Sequence, residues 1–410
     1  MVGLPARGKS YTARRIERYL SWLGYRTGVF NVGEYRRARV GSHVPHSFFD
    51  PDNPQGDEAR KVVAMAALED MVHWLKDEGG QVAIYDATNS TRARRAMVRA
   101  RCEQAGFQVL FIEMSCDDPN VIEANIRSTK LSSPDYEDTD PDEAVADFRA
   151  RIAHYERVYE PIGEDEGAYL RVTGAGRGLM VSQVDGYIAA RLVFFLMNLH
   201  LTERPIWLTR HGESVYNTNG LIGGDPDLTP DGNLYAHSLA DFLDDRCPDR
   251  NGVVIYTSSL RRAVQTAAPL GRRSWPWRAL DEIDAGVCDG MSYEQIQEQL
   301  PEEYAARKRD KFHYRYPRGE SYQDIIFRLD PVIIELERTR KPVLVIAHNA
   351  VVRALYSYFQ GVPRDRCPHL PIPLHTVLEL KPHAYGCHEV RVPLEPQLGA
   401  GSTMSRHPPS

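Results

Sequence analysis

Ile206-Trp207-Leu208-Thr209-Arg210-His211-Gly212-Glu213-Ser214 is the stretch whose reading decides the fold of the second half of the chain. An apolar run, with Pro205 before it and Gly212 after, reads as a short buried strand that ends in an Arg-His-Gly turn. A strand end is a rigid place from which to present a histidine. Gly212 lets the backbone turn sharply and lets a ligand come close. Arg210 sets a permanent forked cation beside the imidazole, a geometry suited to phosphate. A histidine so placed can attack a phosphoryl group. An ordinary exposed histidine in a turn is the plain alternative, and the neighbouring segments decide between the two.

Those segments repeat the pattern. Val253–Ser258 reads as a strand, and a helix beginning at Leu260 sets Arg262 near its end. Val343–His348 reads as another buried strand, again ending in a histidine, His348. Ala279–Ile283 is apolar around two carboxylates, Asp281 and Glu282. Asn217 can donate to a phosphate oxygen, and Gly223, in Ile222-Gly223-Gly224-Asp225, lets backbone approach one. Leu228–Gly232 reads as the start of a helix running to about Leu243. Basic groups at several strand ends, with a carboxylate at position 282, form a phosphate-centred constellation.

The first half opens with Gly3-Leu4-Pro5-Ala6-Arg7-Gly8-Lys9-Ser10, which matches G-x-x-x-x-G-K-[ST], the P-loop. Backbone N–H groups of such a loop wrap nucleotide phosphates. Lys9 would reach the β/γ-phosphates and Ser10 would ligate Mg²⁺. A helix is expected from about Tyr11 to Leu23, its N-terminus favouring anions. Only Met1 and Val2 precede Gly3, so the strand expected before the loop is largely missing. Thr27–Val32 reads as a strand, followed by an arginine-rich loop, Gly33–Arg37, and a Pro-rich loop from Gly41 to Gly56. A helix from Glu58 to Lys76 ends at Gly79-Gly80. Gln81–Asn89 is a strand running into Asp86, where P-loop folds keep an acidic group for Mg²⁺ or as a base. A helix over Thr91–Gln104, a strand over Val109–Glu113 ending near Cys116, and helices over Pro119–Ser128 and Ala144–Tyr159 follow. A strand near Leu170–Val172 and a helix from about Met180 to Met197 close this half. Alternating strands and helices imply a mostly parallel sheet covered on both faces, with ligands at the carboxyl ends of the strands. Free cysteine is often simple core packing, which is the plain alternative for Cys116.

The bulk properties bound these readings. At 410 residues the chain is long enough for two or three domains, and 42% hydrophobic with 26% charged residues is an ordinary globular composition. A net charge of −6 argues against a general nucleic-acid or membrane-surface binder. The six cysteines form no CxxC pair, so neither a zinc site nor a disulfide framework is implied and a reducing cytoplasm fits. No apolar stretch approaches a membrane span, and the start has no signal-peptide pattern.

With the P-loop and the Arg-His-Gly turn in this order, the chain closely resembles the bifunctional 6-phosphofructo-2-kinase/fructose-2,6-bisphosphatase family. Gly3–Tyr11, Phe30–Arg37, Asp86–Arg95, Lys130–Tyr136, Arg210–Asn217, Glu282–Tyr293, Tyr314–Tyr322 and Leu374–Cys387 carry the resemblance. It implies a P-loop kinase domain over residues 1–202, a histidine phosphatase (phosphoglycerate-mutase-like) α/β domain over 203–395, and a disordered tail over 396–410. It further implies ATP with Mg²⁺ bound by Gly3–Ser10, that is Gly3, Leu4, Pro5, Ala6, Arg7, Gly8, Lys9 and Ser10, with Asn125, Lys130 and Tyr385. Fructose 6-phosphate would be held by Arg36, Arg60, Thr88, Arg94, Lys130, Arg151 and Tyr155, with Asp86 and Cys116 in the active site. In the phosphatase half it implies His211 as nucleophile and Glu282 as acid and base, with Arg210, Arg262 and His348 stabilising charge on the phosphoryl oxygens and no metal. Asn217, Gly223, Tyr293, Arg307, Lys311, Tyr322, Asn349 and Arg353 would contact fructose 2,6-bisphosphate. Position 349 departs from the glutamine common in the family. A homodimer in the cytoplasm, acting in the control of glycolysis and gluconeogenesis, is also implied.

Two other readings remain open at this point. One is a phosphoglycerate-mutase-like or other phosphatase fused to a degenerate, non-catalytic P-loop domain. The other is a scaffold that binds sugar phosphate or nucleotide without turnover.

Overall fold

The computed structural model describes residues 1–129, 134–137, 139–200, 203–383 and 386–394. The chain forms two compact units, residues 1–201 and 202–410. The first carries a two-stranded and a three-stranded sheet and the second one six-stranded sheet, and each unit packs helices on its strands around its own core.

In the first unit a helix, α1 (Lys9–Leu23), follows the P-loop directly. Gly24, in the left-handed region, ends it by donating to Leu20 and Ser21 carbonyls. The strand β1 (Thr27–Asn31) leads into α2 (Val32–Val40), and the long α3 (Pro54–Asp77) into β2 (Val82–Asp86). After these come α4 (Arg92–Gln104), β3 (Phe111–Ser115), α5 (Pro119–Thr129), α6 (Pro141–Glu156), β4 (Tyr169–Thr173), β5 (Gly178–Ser182) and α7 (Tyr187–Asn198). The pairs β1–β2 and β3–β4 are parallel, and β5 is antiparallel to β4. Met1 and Val2 lie between β2 and β3. The Met1 amino group donates to the Tyr85 carbonyl, Val2 N–H to Ile112, and Met114 N–H back to Val2. The strand that precedes the P-loop is thus a two-residue bridge, fully buried at Val2.

Three expectations are corrected here. The arginine-rich segment Gly33–Arg37 is helix, not loop, because the Asn31 side chain caps it by accepting from Glu34 N–H. The helix expected over Glu58–Lys76 begins earlier, at Pro54, inside the segment read as loop, because Asn53 accepts from Gly56 N–H with proline in the first turn. The helix expected from Met180 begins at Tyr187. Gly174, Ala175 and Gly176 all take positive φ (56°, 58° and 91°), which turns the chain into the β4–β5 hairpin.

The second unit holds a six-stranded sheet. Its strands are β6 (Ile206–Arg210), β7 (Val254–Thr257), β8 (Ser274–Pro276), β9 (Val343–Ala347), β10 (Thr376–His383) and β11 (Gly386–Pro393), in the spatial order β11-β10-β6-β9-β7-β8. The four strands β6, β9, β7 and β8 are parallel, and β10 and β11 close one edge antiparallel. The helices are α8 (Val215–Thr218), α9 (Pro230–Arg246), α10 (Arg261–Ala267), α11 (Tyr293–Gln299), α12 (Pro301–Arg309), α13 (Tyr322–Arg338) and α14 (Asn349–Gln360). Trp207, Leu239, Ile255, Leu344 and Ile346 form a buried core between the sheet and α9–α10. Register sets the site: Arg210 pairs with Ala347, and Thr257 with Ile346. His211, His348 and Ser258 therefore leave three adjacent strands at one level, the first and last held by N–H bonds to Ala347 and Ile346 carbonyls, each 3.0 Å.

Candidate active sites

In the second unit, His211 is 3% exposed and held at both ring nitrogens. Nδ1 lies 2.6 Å from its neighbour Gly212's carbonyl oxygen, and Nε2 lies 3.1 Å from Arg262 Nε. A guanidinium nitrogen can only donate and a carbonyl can only accept. Nδ1 therefore carries the proton and Nε2 the lone pair. Burial first, then the Arg262 cation, holds the ring well below the ordinary histidine pKa, so it is neutral. Arg262 is anchored by its Nη1 donating to the Gly224 carbonyl at 2.7 Å.

His348 is fully buried, its ring centroid 5.0 Å from that of His211. Burial and the same arginine hold it neutral as well. Arg210 donates to the Ile372 carbonyl, while its Nε is buried without a partner; burial lowers its pKa to about 10. Glu282 Oε1 accepts from Ile283 N–H (2.9 Å) and from Ala350 N–H (3.3 Å) in the first turn of α14. The carboxylate thus sits at a helix N-terminus.

Around this centre lies a cavity of about 360 Å³. Arg210, His211, Arg262 and Glu282 line its floor. Asn217, Gly223, Tyr293, Arg307, Lys311, Tyr322, Asn349 and Arg353 line the rest, so every phosphatase-half residue singled out from the sequence lines the cavity except His348, which is buried beside His211. Arg307 donates to Tyr316 and Tyr293 hydroxyls (2.8 Å each), and Arg353 to the Tyr322 hydroxyl (3.2 Å). Lys311 donates to the Pro368 carbonyl; burial, then Arg353 and Arg307, push its pKa down to about 8. Asn349 Oδ1 is buried without a partner. Sequence reading missed Tyr216, Tyr314 and Tyr316 in the wall, and Arg328, whose Nη2 holds the Asp281 and Glu282 carbonyls. The Tyr314–Tyr322 stretch was the signal for two of these tyrosines. No local signal marks Arg328.

The first unit carries a second constellation. Gly3 is at φ +133°, and a Cβ there would lie 2.5 Å from the Met114 carbonyl oxygen, so the loop passes hard against β3. Ala6 (φ 59°) and Gly8 (φ 83°) continue the turn. Lys9 Nζ bonds the Leu4 carbonyl across the loop at 2.7 Å, and Asn125 donates to the Ala6 carbonyl. No side chain caps α1, so its first N–H groups face the loop. The loop residues Leu4, Pro5, Arg7 and Ser10 share this turn. Arg7 Nη1 donates to the Pro5 carbonyl. This cradle fits a nucleotide's phosphates, and Ser10 on α1 with Asp86 at the end of β2 are the oxygen ligands that a hard cation takes.

Asp86 is buried and accepts from Asn31 Nδ2 at 2.5 Å. Cys116 is buried just beyond β3. Thr88 O accepts from Gly3 N–H. Arg36 grips Asp135 with two bonds of 2.7 and 2.5 Å, and Arg151 reaches the same carboxylate at 3.8 Å while lying 3.6 Å over the Phe49 ring. Tyr155 packs on Phe49 too (6.1 Å), and Arg60 bonds the Phe48 carbonyl. The short turn His46–Phe49 therefore gathers Arg36, Arg60, Arg151 and Tyr155. Arg94 starts α4, half-buried. Lys130 and Tyr385 lie outside the described residues, as does the tail 396–410. Among the described residues no helix is long and apolar enough to cross a membrane, and all six cysteines are free.

Comparison with known proteins follows the same division. Residues 1–203 match the family model described as 6-phosphofructo-2-kinase, and residues 206–394 that of the histidine phosphatase superfamily (branch 1). A 6-phosphofructo-2-kinase/fructose-2,6-bisphosphatase of Arabidopsis thaliana is 51% identical over 96% of this chain and 53% of its own length. 6-Phosphofructo-2-kinase/fructose-2,6-bisphosphatase 4 of Homo sapiens is 49% identical over 94% of this chain and 82% of its own, and the Gallus gallus protein gives the same figures. The chain thus spans about half the length of the plant relative and most of the vertebrate ones. Such relatives match over more than nine-tenths of the chain, both units included, and the chain belongs to the 6-phosphofructo-2-kinase/fructose-2,6-bisphosphatase family.

Proposed function

We propose that the chain makes fructose 2,6-bisphosphate from fructose 6-phosphate and ATP, over residues 1–202, and hydrolyses it over residues 203–395. The observation that carries the second activity is the doubly held ring of His211, unprotonated at Nε2 where Arg262 donates to it, in the lining of a cavity shared with Glu282.

In hydrolysis, His211 Nε2 attacks the 2-phosphoryl phosphorus. The N–P bond forms as the bond from phosphorus to the sugar O2 breaks, and Glu282 gives that oxygen its proton. Glu282 then takes a proton from water, whose oxygen attacks phosphorus and frees His211 and inorganic phosphate. Arg262, displaced from the histidine nitrogen as the N–P bond forms, turns its donor to a phosphoryl oxygen, joined by Arg210 and His348. Asn217 and Gly223 bound the phosphoryl pocket. Tyr293, Arg307, Lys311, Tyr322, Asn349 and Arg353 hold the second phosphate and the sugar.

In synthesis, the residues align two anionic reactants, since phosphoryl transfer needs positioning and charge neutralisation more than covalent help. Gly3–Ser10 cradle the nucleotide phosphates, with Asn125 steadying the loop through Ala6. Arg36, Arg60, Arg94, Arg151, Thr88 and Tyr155 orient fructose 6-phosphate, and Asp86 and Cys116 border the transfer site. Mg²⁺, when bound with ATP through Ser10, neutralises phosphate charge. Lys130 and Tyr385 complete the set by resemblance.

The functional unit we propose is a homodimer. Met180 and Val181 on the edge strand β5, and Tyr187, Phe194 and Met197 on α7, leave large apolar side chains exposed on the first unit. A second copy is the occupant, and Phe194→Glu is expected to convert a dimer to monomer by light scattering; a wild type already monomeric at micromolar concentration refutes it.

The deciding experiment is a pair of assays on one sample. One follows bisphosphate formation from fructose 6-phosphate and Mg-ATP. The other follows hydrolysis, with trapping of phosphohistidine. Both signals are expected. His211→Ala is expected to abolish hydrolysis and trapping while bisphosphate formation persists, and hydrolysis surviving in that variant overturns the assignment. Mutase activity on phosphoglycerates without action on the bisphosphate establishes the phosphoglycerate-mutase-like alternative.

A further inference from the structure

We propose that Ser258 and Asp281 are positioning residues for hydrolysis, fixing which ring nitrogen of His348 holds a proton; the proposal rests on the phosphatase reading above. Ser258 leaves the end of β7, level with His348 at the end of β9. Its hydroxyl has three neighbours: Asp281 Oδ1 at 2.8 Å, Leu260 N–H at 3.1 Å and His348 Nε2 at 2.7 Å. A hydroxyl has one hydrogen and two lone pairs. A carboxylate only accepts and an amide N–H only donates. The serine hydrogen therefore goes to Asp281, and His348 Nε2 has to donate.

Asp281 cannot swing away. Ser259 donates to it from both backbone N–H (2.7 Å) and hydroxyl (2.9 and 2.7 Å), and Arg328 Nη2 holds its carbonyl (2.7 Å). The neutral His348 ring is thereby forced to leave its lone pair on Nδ1, which is buried with no partner. The groups around this ring are mostly cationic: Arg210 from β6, Arg262 from α10 and Arg328 from α13, with neutral His211 beside it. Glu282 lies on the segment that carries Asp281. Among the described residues, Asp281 is the carboxylate wired to the ring through hydrogen bonds.

A bare lone pair cannot donate to a phosphoryl oxygen. When the phosphoryl group arrives, its own acidic proton, from the monoanionic fraction, passes to Nδ1. The result is a phosphoryl dianion hydrogen-bonded to an imidazolium, whose other N–H stays tied through Ser258 to Asp281. No covalent bond other than that O–H is broken. Without the relay the neutral ring is free to place its hydrogen on Nδ1, and donation no longer needs the extra proton.

The test follows kcat and KM for fructose 2,6-bisphosphate hydrolysis across pH 5.5–9 (about that span covers histidine titration) in the full chain. Ser258→Ala is expected to lower kcat/KM roughly tenfold near neutrality, the size of a lost hydrogen bond to a charged group, and to flatten the fall at high pH. Asp281→Asn keeps an acceptor and removes the charge, so that fall is expected to move to lower pH by roughly one unit. Both effects are expected to vanish in a His348→Asn background. Bisphosphate synthesis and a thermal melt on the same samples report folding, and Asp281→Asn carries the test if Ser258→Ala does not fold. Profiles superimposable on wild type, or losses that are independent of pH and equal in both backgrounds, overturn the proposal. A wild type that neither hydrolyses nor traps phosphohistidine refutes the phosphatase reading itself, a separate outcome.

Discussion

At the scale of single residues, charge and burial decide what each side chain does. In the proposed hydrolysis His211 is suited to act as nucleophile because a backbone carbonyl holds one nitrogen's proton and neighbouring cations discourage a second. Lys311 shows the opposite balance. It is an ammonium forced into a partly buried, arginine-lined wall, with its pKa pushed down to about 8. Two effects follow. Its charge disappears as pH rises through about 8, so KM for the bisphosphate is expected to climb above that pH while kcat changes less, checked by initial rates from pH 7 to 9 (roughly the span around this pKa). In stability the sign is reversed: between about 8 and the ordinary lysine value of about 10.4 the unfolded chain binds more protons than the folded one, so folding stability gains as pH rises through that window. Lys311→Met is expected to raise KM at least tenfold, about one charge-assisted bond, and to raise Tm at neutral pH, a trade of stability for function. A variant that lowers Tm would contradict that account.

At the scale of elements, the turn after β6 is built on contact between two backbones. A Cβ at Gly212 would lie 2.3 Å from the Gly232 carbonyl oxygen, and one at Gly232 only 2.1 Å from that of Glu213. Neither neighbour is a flexible side chain. Gly212→Ala is therefore expected to cost about 1–3 kcal/mol or more, the range of forced overpacking, and to lower phosphohistidine trapping by moving the ring; denaturant midpoints and trapping on one sample check both. Much of this was legible beforehand. Strands β6, β7 and β9 are apolar runs that stop at a polar residue, a local signal, and their ends supplied His211, Arg262 and His348. What was misread lacked such a signal. The helix α2 is basic with no apolar stripe and depends on the Asn31 cap, and the β4–β5 hairpin depends on a Gly-Ala-Gly turn with an uncommon alanine in the left-handed region. Ser258, Asp281, Arg328 and His348 meet through hydrogen bonds that span 23 to 90 positions of sequence. Nothing periodic links such residues, so only the folded chain reveals them. The short stretch before the P-loop forms an isolated bridge and no strand, and Met1 and Val2 take their partners from β2 and β3, far along the chain.

At the scale of the whole molecule, two units each carry a core and a site, which makes the opposed activities separable by mutation. A non-hydrolysable ATP analogue with Mg²⁺ is expected to protect the first unit against heat through mass action, by about 2.7 kcal/mol at a hundredfold excess over Kd, and to leave the melting of the second where it was. Lys9→Met is expected to erase that protection while hydrolysis continues, followed by calorimetry alongside the two assays. Equal protection of both units by nucleotide would show that they melt as one. A last consequence comes from how the hydrolytic cavity is divided. Arg210, His211 and His348 belong to parallel strands and the turns that end them and Arg262 to the first turn of α10 after β7, whereas Tyr293, Arg307, Lys311 and Tyr322 all fall between β8 and the first turn of α13. Most of the recognition side chains are thus written in one contiguous paragraph of the gene, downstream of the acid Glu282, with Asn349 and Arg353 on α14 as the exceptions. Grafting a foreign 289–322 segment onto an untouched scaffold is the economical route to an enzyme with the same chemistry and a new appetite.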